Sequence, residues 1–309
     1  MPARPLLIGT RGSPLALWQA GHVRARLIEA NHLAEGAVEL TAITTSGDRL
    51  KDKPLRDFGG KGLFTKEIDE ALLGGAVDLA VHSMKDLPTD LPQGLRVAAV
   101  LPRGDVRDAF ISAKASSLAE LPPGSVVGTS SLRRAAQMKR LRPDLRIVDF
   151  RGNVETRLKK LAEGRADATL LALAGLERLG LASHATSILS TEEMLPAVAQ
   201  GAIGVTCRSD DAKTRALLEK LDDPASATTV ACERAFLARL DGSCKTPIAG
   251  LAEIDEGILR FRGMILMPDG SEWYGIELTG AAESAQKIGT DAGEELLARA
   301  GPEFVANLA

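Results

Sequence analysis

Ser125-Val-Val-Gly-Thr-Ser-Ser-Leu-Arg-Arg-Ala-Ala-Gln-Met-Lys-Arg-Leu141 is the stretch on which the fold turns. Ser125–Thr129 is short and apolar enough for a buried strand, and Ser131–Leu141 reads as a helix. That helix is stopped by Pro143. A strand and a helix in close succession are the unit of an α/β sheet.

The same grammar runs outward in both directions. Leu6–Thr10 reads as a strand, Ser13-Pro14 as an N-cap and N1 proline, and a helix to about His32 carries Leu15, Trp18, Val23, Leu27 and Ile28 on one face. Val38–Thr45, Val77–Met84 and Arg96–Leu101 read as strands, and Thr65–Leu73 as a helix stopped by Gly74-Gly75. After Pro102-Arg-Gly the pattern restarts, with strands at Ala109–Ser112, Ile147–Phe150, Ala168–Ala172 and Ala202–Cys207. Helices fall at Val154–Glu163, Leu176–Leu179 and Ala212–Leu221. The first 220 residues therefore predict two α/β units, with no internal repeat.

From Asp222 the pattern changes. A helix at Ser226–Leu240 is followed by three successive strands, Ile248–Ile254, Leu259–Met267 and Trp273–Leu278, and a final helix at Ala282–Ala300. Strands without crossover helices predict a separate antiparallel α+β domain.

Composition limits what such a chain can do. Its 309 residues suggest two or three domains, and 45% apolar with 26% charged residues excludes disorder, collagen and coiled coil as whole-chain descriptions. A net charge of −3 gives no bulk field for nucleic acid, and seven Phe, two Trp and one Tyr make a poor base-stacking platform. Cys207, Cys232 and Cys244 are odd in number and never form C-x-x-C, which argues against a disulfide framework and a cysteine zinc site. Four scattered histidines form no metal cluster. No signal-peptide core follows Met1, and the longest apolar stretch, Ala168 to Leu176, is far short of a bilayer span. The expectation is a soluble cytoplasmic protein without a metal.

The cations carry the functional signal. Arg11 follows the first strand, Lys85-Asp86 follows Val77–Met84, and Arg133-Arg134 opens the helix after Ser125–Thr129. Arg151 follows Ile147–Phe150 with Arg157 one turn on, and Arg178 lies just beyond Ala168–Ala172. Ligands of open α/β sheets bind beyond the carboxyl ends of strands. A cation beside a helix N-terminus opposes the macrodipole by some tenths of a kcal/mol, so repetition at successive junctions points to a polyanion. Guanidinium suits carboxylate because its planar fork donates two parallel hydrogen bonds. The alternative is that each arginine is merely solvated.

Other chemistries fit poorly. Gly59-Gly-Lys-Gly62 lacks the first glycine and the final Ser or Thr of a phosphate loop, and G-x-G-x-x-G, H-E-x-x-H and G-x-S-x-G are absent. His82 reads as a satisfied core histidine, and Cys207 and Cys232 as core. Cys244, in Asp241-Gly-Ser-Cys-Lys-Thr-Pro247, is compatible with an inert turn cysteine or with a thiolate favoured by Lys245.

These residues resemble the porphobilinogen deaminase (hydroxymethylbilane synthase) family over nearly the whole chain. The matching stretches are Thr10-Arg-Gly-Ser-Pro-Leu-Ala-Leu-Trp-Gln19, Gly59-Gly-Lys-Gly-Leu-Phe64, Val81-His-Ser-Met-Lys-Asp86 and Val127-Gly-Thr-Ser-Ser-Leu-Arg-Arg134. Arg151-Gly-Asn153, Leu195-Pro-Ala-Val198, Gln200-Gly-Ala202 and Gly242-Ser-Cys244 complete the series. The resemblance implies two α/β domains like type II periplasmic binding proteins, at 1–101 with 202–220 and at 102–201. A third, α+β domain with a three-stranded antiparallel sheet follows at 221–309, and crossing segments lie near 102–106 and 196–201.

It also implies a dipyrromethane cofactor held by a thioether to Cys244. On this primer four porphobilinogens are deaminated and coupled head to tail, ammonia leaves, and hydrolysis releases hydroxymethylbilane for tetrapyrrole and haem synthesis. Asp86 matches the catalytic carboxylate, which can stabilise the cationic azafulvene. Lys85, Ser131, Arg133, Arg134 and Arg157 would hold the cofactor with Asp86. Arg11, Ser13, Gln19, Phe64, Arg151, Arg178 and Gln200 would hold porphobilinogen and the growing linear pyrrole chain. The expected enzyme is a monomeric transferase that touches neither nucleic acid nor membrane. Residues 59–64 would be part of a mobile loop over the site. Two positions depart from the family pattern: Asp57 stands where some members have lysine, and Ala199 replaces a glycine before Gln200. The competing readings are a non-catalytic anion-binding module, which the fold alone equally allows, and a nucleotide-binding enzyme, which the failed phosphate loop disfavours.

Overall fold

The computed structural model describes residues 4–49, 62, 64–240 and 246–307. Its first stretch holds β1 (Leu6–Arg11), α1 (Pro14–Asn31), β2 (Val38–Ile43), α2 (Ser46–Arg49), α3 (Lys66–Leu73), β3 (Leu79–Ser83) and β4 (Leu95–Val100). Next come β5 (Asp108–Ser112), β6 (Val126–Gly128), α4 (Leu132–Leu141), β7 (Arg146–Val148), α5 (Val154–Ala162), β8 (Ala168–Ala172), α6 (Leu173–Arg178) and β9 (Ser187–Ile188). The rest is β10 (Ile203–Arg208), α7 (Ala212–Leu218), α8 (Pro224–Arg239), β11 (Ile248–Asp255), β12 (Ile258–Leu266), β13 (Trp273–Ala281) and α9 (Ala285–Asn307). α9 runs past the expected stop at Ala300 but breaks there, where Gly301 has φ +76 before Pro302.

Side-chain caps start the helices, at Ser13 as read and at Asn153 and Asp211 besides. Ser13 accepts from the Ala16 amide (3.3 Å), Asn153 from Thr156 (2.9 Å) and Asp211 from Thr214 (3.0 Å). Each satisfies an N–H that the helix itself leaves orphaned, a contribution of about 1 kcal/mol.

The described residues group into two compact units, residues up to 104 with 202–227, and 105–201 with the chain from 228 onward. The first unit holds a five-stranded sheet of order β2-β1-β3-β10-β4, in which β1, β2 and β3 are parallel and β10 opposes β3 and β4. The second holds a five-stranded sheet of order β7-β6-β8-β5-β9, in which β6, β7 and β8 are parallel and β5 opposes β8 and β9. The two sheets share one topology. In each, the antiparallel strand is the one laid down directly after the chain passes from one unit to the other, β5 after 104 and β10 after 201. That is the two-domain α/β arrangement the resemblance implies. No sequence repeat reveals it, because the odd strand comes first in one sheet and last in the other.

The second unit also contains the antiparallel sheet β11-β12-β13, paired in continuous register from Ile248↔Ile265 to Leu266↔Trp273. Cores are built where the apolar runs predict. Ile8, Val23, Leu27, Leu79 and Val205 cluster in the first unit, and Phe110, Val127, Met138 and Leu170 in the second. Burying each such side chain contributes about 1.5–3 kcal/mol.

Ala199 is one of the non-glycine residues at positive φ (+59). Its amide donates to the fully buried Glu233 carboxylate (2.5 Å), which also accepts from Ala252 (2.8 Å). A left-handed alanine costs about 1 kcal/mol relative to glycine, and these bonds hold it there.

Candidate active site

Parallel neighbours in a sheet carry all their carboxyl ends to one edge, so topology decides which junctions meet. In the first unit that edge collects the residues after β1, β2 and β3. Arg11, Ser13, Gln19, Phe64, His82, Ser83 and Asp86 line one cleft there, about 480 Å³ counted out to its open mouth. Gln19, 2% exposed, hydrogen bonds the Ser83 hydroxyl (2.9 Å), and His82 Nε2 meets Thr206 Oγ1 (2.9 Å). The His82 pairing fits the core role read from sequence, although its ring also faces the cleft. Lys85 and Asp86 sit in a single 3₁₀ turn after β3, with Asp86 exposed on the cleft wall.

Arg11 does not stand alone. Its guanidinium pairs with Asp48 at α2 and lies 4.2 Å from the Phe64 ring centroid. Burial would raise the Asp48 pKa, but hydrogen bonds from Arg11 and Thr45 and the charge of Arg11 together hold it below the usual carboxylate range. The sequence reading missed Asp48, which lies 37 positions from its partner.

In the second unit the same edge collects Ser131, Arg133 and Arg134 after β6, Arg151 and Arg157 after β7, and Arg178 after β8. The antiparallel β5 begins at that edge, with its first residue, Asp108, opposite the last of β8, Ala172. Asp108 is thereby driven into the middle of the cations. Its carboxylate, with 0% side-chain exposure, accepts from Arg133 (2.7 Å) and from Arg134 (2.7 Å). Gln200 adds a further donor (2.9 Å). The two arginines also donate to the Leu195 and Leu170 carbonyls (2.7 and 2.9 Å). Arg133 and Arg134, expected to hold cofactor carboxylates, are 5% exposed and held on a buried acid. Burial would raise the Asp108 pKa, yet the charges of the two arginines, then their hydrogen bonds, drive it far below the usual carboxylate range.

The other predicted residues sit on the same edge. Ser131 caps α4, its hydroxyl facing the Arg134 amide (3.4 Å). Arg151 pairs with Asp149 (3.1 Å), Arg157 donates to the Gly152 carbonyl (2.8 Å), and Arg178 donates to the Gly201 carbonyl (2.5 Å). Burial lowers the Arg178 pKa from its ordinary value.

Replacing Asp108 with asparagine leaves two buried guanidiniums without a full counter-charge, and should destabilise the protein by about 3–5 kcal/mol. Asp48→Asn, in a quarter-exposed pair, should cost under about 1 kcal/mol. Paired thermal melts at pH 7 check the difference; equal midpoints would mean that the Asp108 cluster holds nothing together. The contribution of Asp108 is present above its unfolded pKa and is lost only as strong acid titrates the folded carboxyl.

The chain was compared with known proteins. A family model described as "Porphobilinogen deaminase, dipyromethane cofactor binding domain" matches residues 6–216, and one described as "Porphobilinogen deaminase, C-terminal domain" matches 227–298. A porphobilinogen deaminase of Paracoccus denitrificans is 57% identical over 303 residues, covering 98% of this chain and 97% of its own. The chain belongs to the porphobilinogen deaminase family. A chloroplastic porphobilinogen deaminase of Oryza sativa subsp. japonica is 58% identical, covering 97% of this chain and 86% of its own. Among solved structures, the methionine-binding protein MetQ is a distant match, 15% identical with a TM-score of 0.45, covering 71% of this chain and 89% of that one.

The porphobilinogen deaminase cofactor, a dipyrromethane, carries an acetate and a propionate on each ring. The donor set along the second unit's edge fits such a group. Arg133, Arg134, Arg151, Arg157 and Arg178 lie at three neighbouring junctions, where Asp108 pairs with the first two and Asp149 with Arg151. The Arg133 Nε is buried without a hydrogen-bond partner, a donor that a carboxylate would satisfy. Cys244 and Lys245, and residues 57, 59–61 and 63 of the expected loop, lie outside the described residues. Cys207 and Cys232 are buried as read; burial raises the first thiol's pKa and pushes the second up to about 12. No helix among the described residues is long and apolar enough to cross a membrane.

Proposed function

We infer that this chain is the transferase that deaminates porphobilinogen and joins four of these units head to tail on a dipyrromethane primer. It releases hydroxymethylbilane and ammonia in tetrapyrrole biosynthesis. The observation that supports the reading is that Arg11 and Asp86 line one cleft, in a chain whose family is established.

In this reading Arg11, Ser13 and Gln19 bind and orient the substrate's carboxylates and pyrrole, and Phe64 holds the Arg11 guanidinium flat. Asp86 faces the pyrrole N–H and stabilises the positive charge that develops as ammonia departs. The primer, when bound, supplies the free α-carbon that is extended. Ser131, Arg133, Arg134 and Arg157, with Lys85, hold its carboxylates, while Arg151, Arg178 and Gln200 hold the lengthening chain. Attachment is assigned to Cys244, in keeping with the high thiol pKa of Cys232 and the burial of both other cysteines. Three domains are proposed, 1–101 with 202–220, 102–201 and 221–309, since the second unit holds two separate sheets. A cytoplasmic monomer is the accompanying proposal.

Incubation of the purified protein with porphobilinogen tests the reaction. One ammonia should appear per porphobilinogen consumed, with one linear tetrapyrrole per four. Binding without ammonia release would favour the anion-binding module instead.

A further inference from the structure

The connection between β12 and β13 does more than reverse the chain. Residues 267–272 are closed by the Met267 amide on the Glu272 carbonyl (2.8 Å) and the Gly270 amide on the Met267 carbonyl (2.9 Å). Gly270 has φ +75, and a Cβ there would lie 2.5 Å from the Arg140 amide nitrogen and 2.6 Å from the Ala136 carbonyl oxygen. Those are helix backbone atoms and cannot step aside. Trp273, the first residue of β13, places its ring 4.7 Å from the Arg140 guanidinium carbon. The turn is therefore seated on the last part of α4, backbone against backbone, with a cation–π contact beside it.

α4 has 10 residues and is about 15 Å long. Its first turn carries Arg133 and Arg134 on Asp108, and Gln137 exchanges hydrogen bonds with Leu195 (3.0 and 2.9 Å). A short rod gripped at both ends cannot shift at one without moving the other. We propose that Gly270 and Trp273 are positioning residues: the C-terminal sheet, through this turn, sets where α4 presents Arg133 and Arg134. For its kinetic arm the proposal rests on the function inferred above; its structural arm does not.

Gly257, in the β11–β12 turn, supplies the control. It has φ +79, and a methyl group added there would meet nothing within 4 Å, so G257A imposes the same backbone strain without touching a helix. In the full-length protein, G270A should speed hydrogen exchange of the α4 amides about tenfold relative to G257A. It should also lower kcat for porphobilinogen about tenfold with KM nearly unchanged, since Arg133 and Arg134 are assigned to the bound primer and a small misplacement of such groups is costly. W273A should shift both readouts the same way, and W273F should restore them. Matching α4 exchange and kinetics in G270A and G257A would overturn the proposal. If G270A does not fold, unchanged α4 exchange in W273A would overturn it equally. A wild type that leaves porphobilinogen untouched would strike the functional reading instead, with the exchange data still deciding this one.

Discussion

Asparagine at position 86 should lower kcat for porphobilinogen about a hundred- to a thousandfold while the fold, the primer and KM stay close to wild type. The substitution is isosteric and removes only the negative charge. Asp86 is exposed on the cleft wall, so losing its charge costs little stability. What is lost is the fixed anion opposite a pyrrole that becomes positive as ammonia leaves. A pre-placed carboxylate reorganises little at that moment, whereas an amide offers only a dipole. Single-turnover ammonia release, with intact mass to verify the primer, measures the effect. Turnover within about twofold of wild type would remove Asp86 from the chemistry.

The cations are themselves held by acids. Arg11 is partly neutralised by Asp48, and Arg133 and Arg134 share Asp108. The guanidiniums are arranged in hydrogen-bonded groups that keep each one oriented. The cost of dismantling one of them is what the Asp108 and Asp48 substitutions compare.

Much of this was legible in the sequence. The strand–helix units at Leu6–Asn31 and Val126–Leu141 were readable because apolar runs, the Ser13 cap and the Pro143 stop are local signals. Once successive strands are taken as parallel, the junction arginines that follow β6, β7 and β8 must share an edge, and they do. The acids that organise them were not readable. Asp108 opens an apolar strand, Asp-Ala-Phe-Ile-Ser112, and a fully buried charge at a strand start is a signal in principle. Its meaning depends on β5 running antiparallel, which is fixed by where the chain re-enters the sheet rather than by any local pattern. Asp48 likewise meets Arg11 only because β1 and β2 are adjacent. The seat of Gly270 on α4 depends on packing between elements far apart in sequence, and a turn glycine announces only its φ. Asp86 and Cys244 were singled out by family resemblance; spacing alone left each with a plain structural alternative.

The second large effect concerns Cys244. Removing its sulfur should abolish turnover altogether, because no primer can then be retained, while Cys207 and Cys232 stay buried and unreactive. Intact mass of the purified protein, wild type beside Cys244→Ser, puts the whole account to its most direct test. The account predicts a wild type heavier than its sequence by one dipyrromethane and a serine variant at the bare sequence mass and inactive. An active wild type at the bare mass, or a serine variant that keeps the increment, would contradict it.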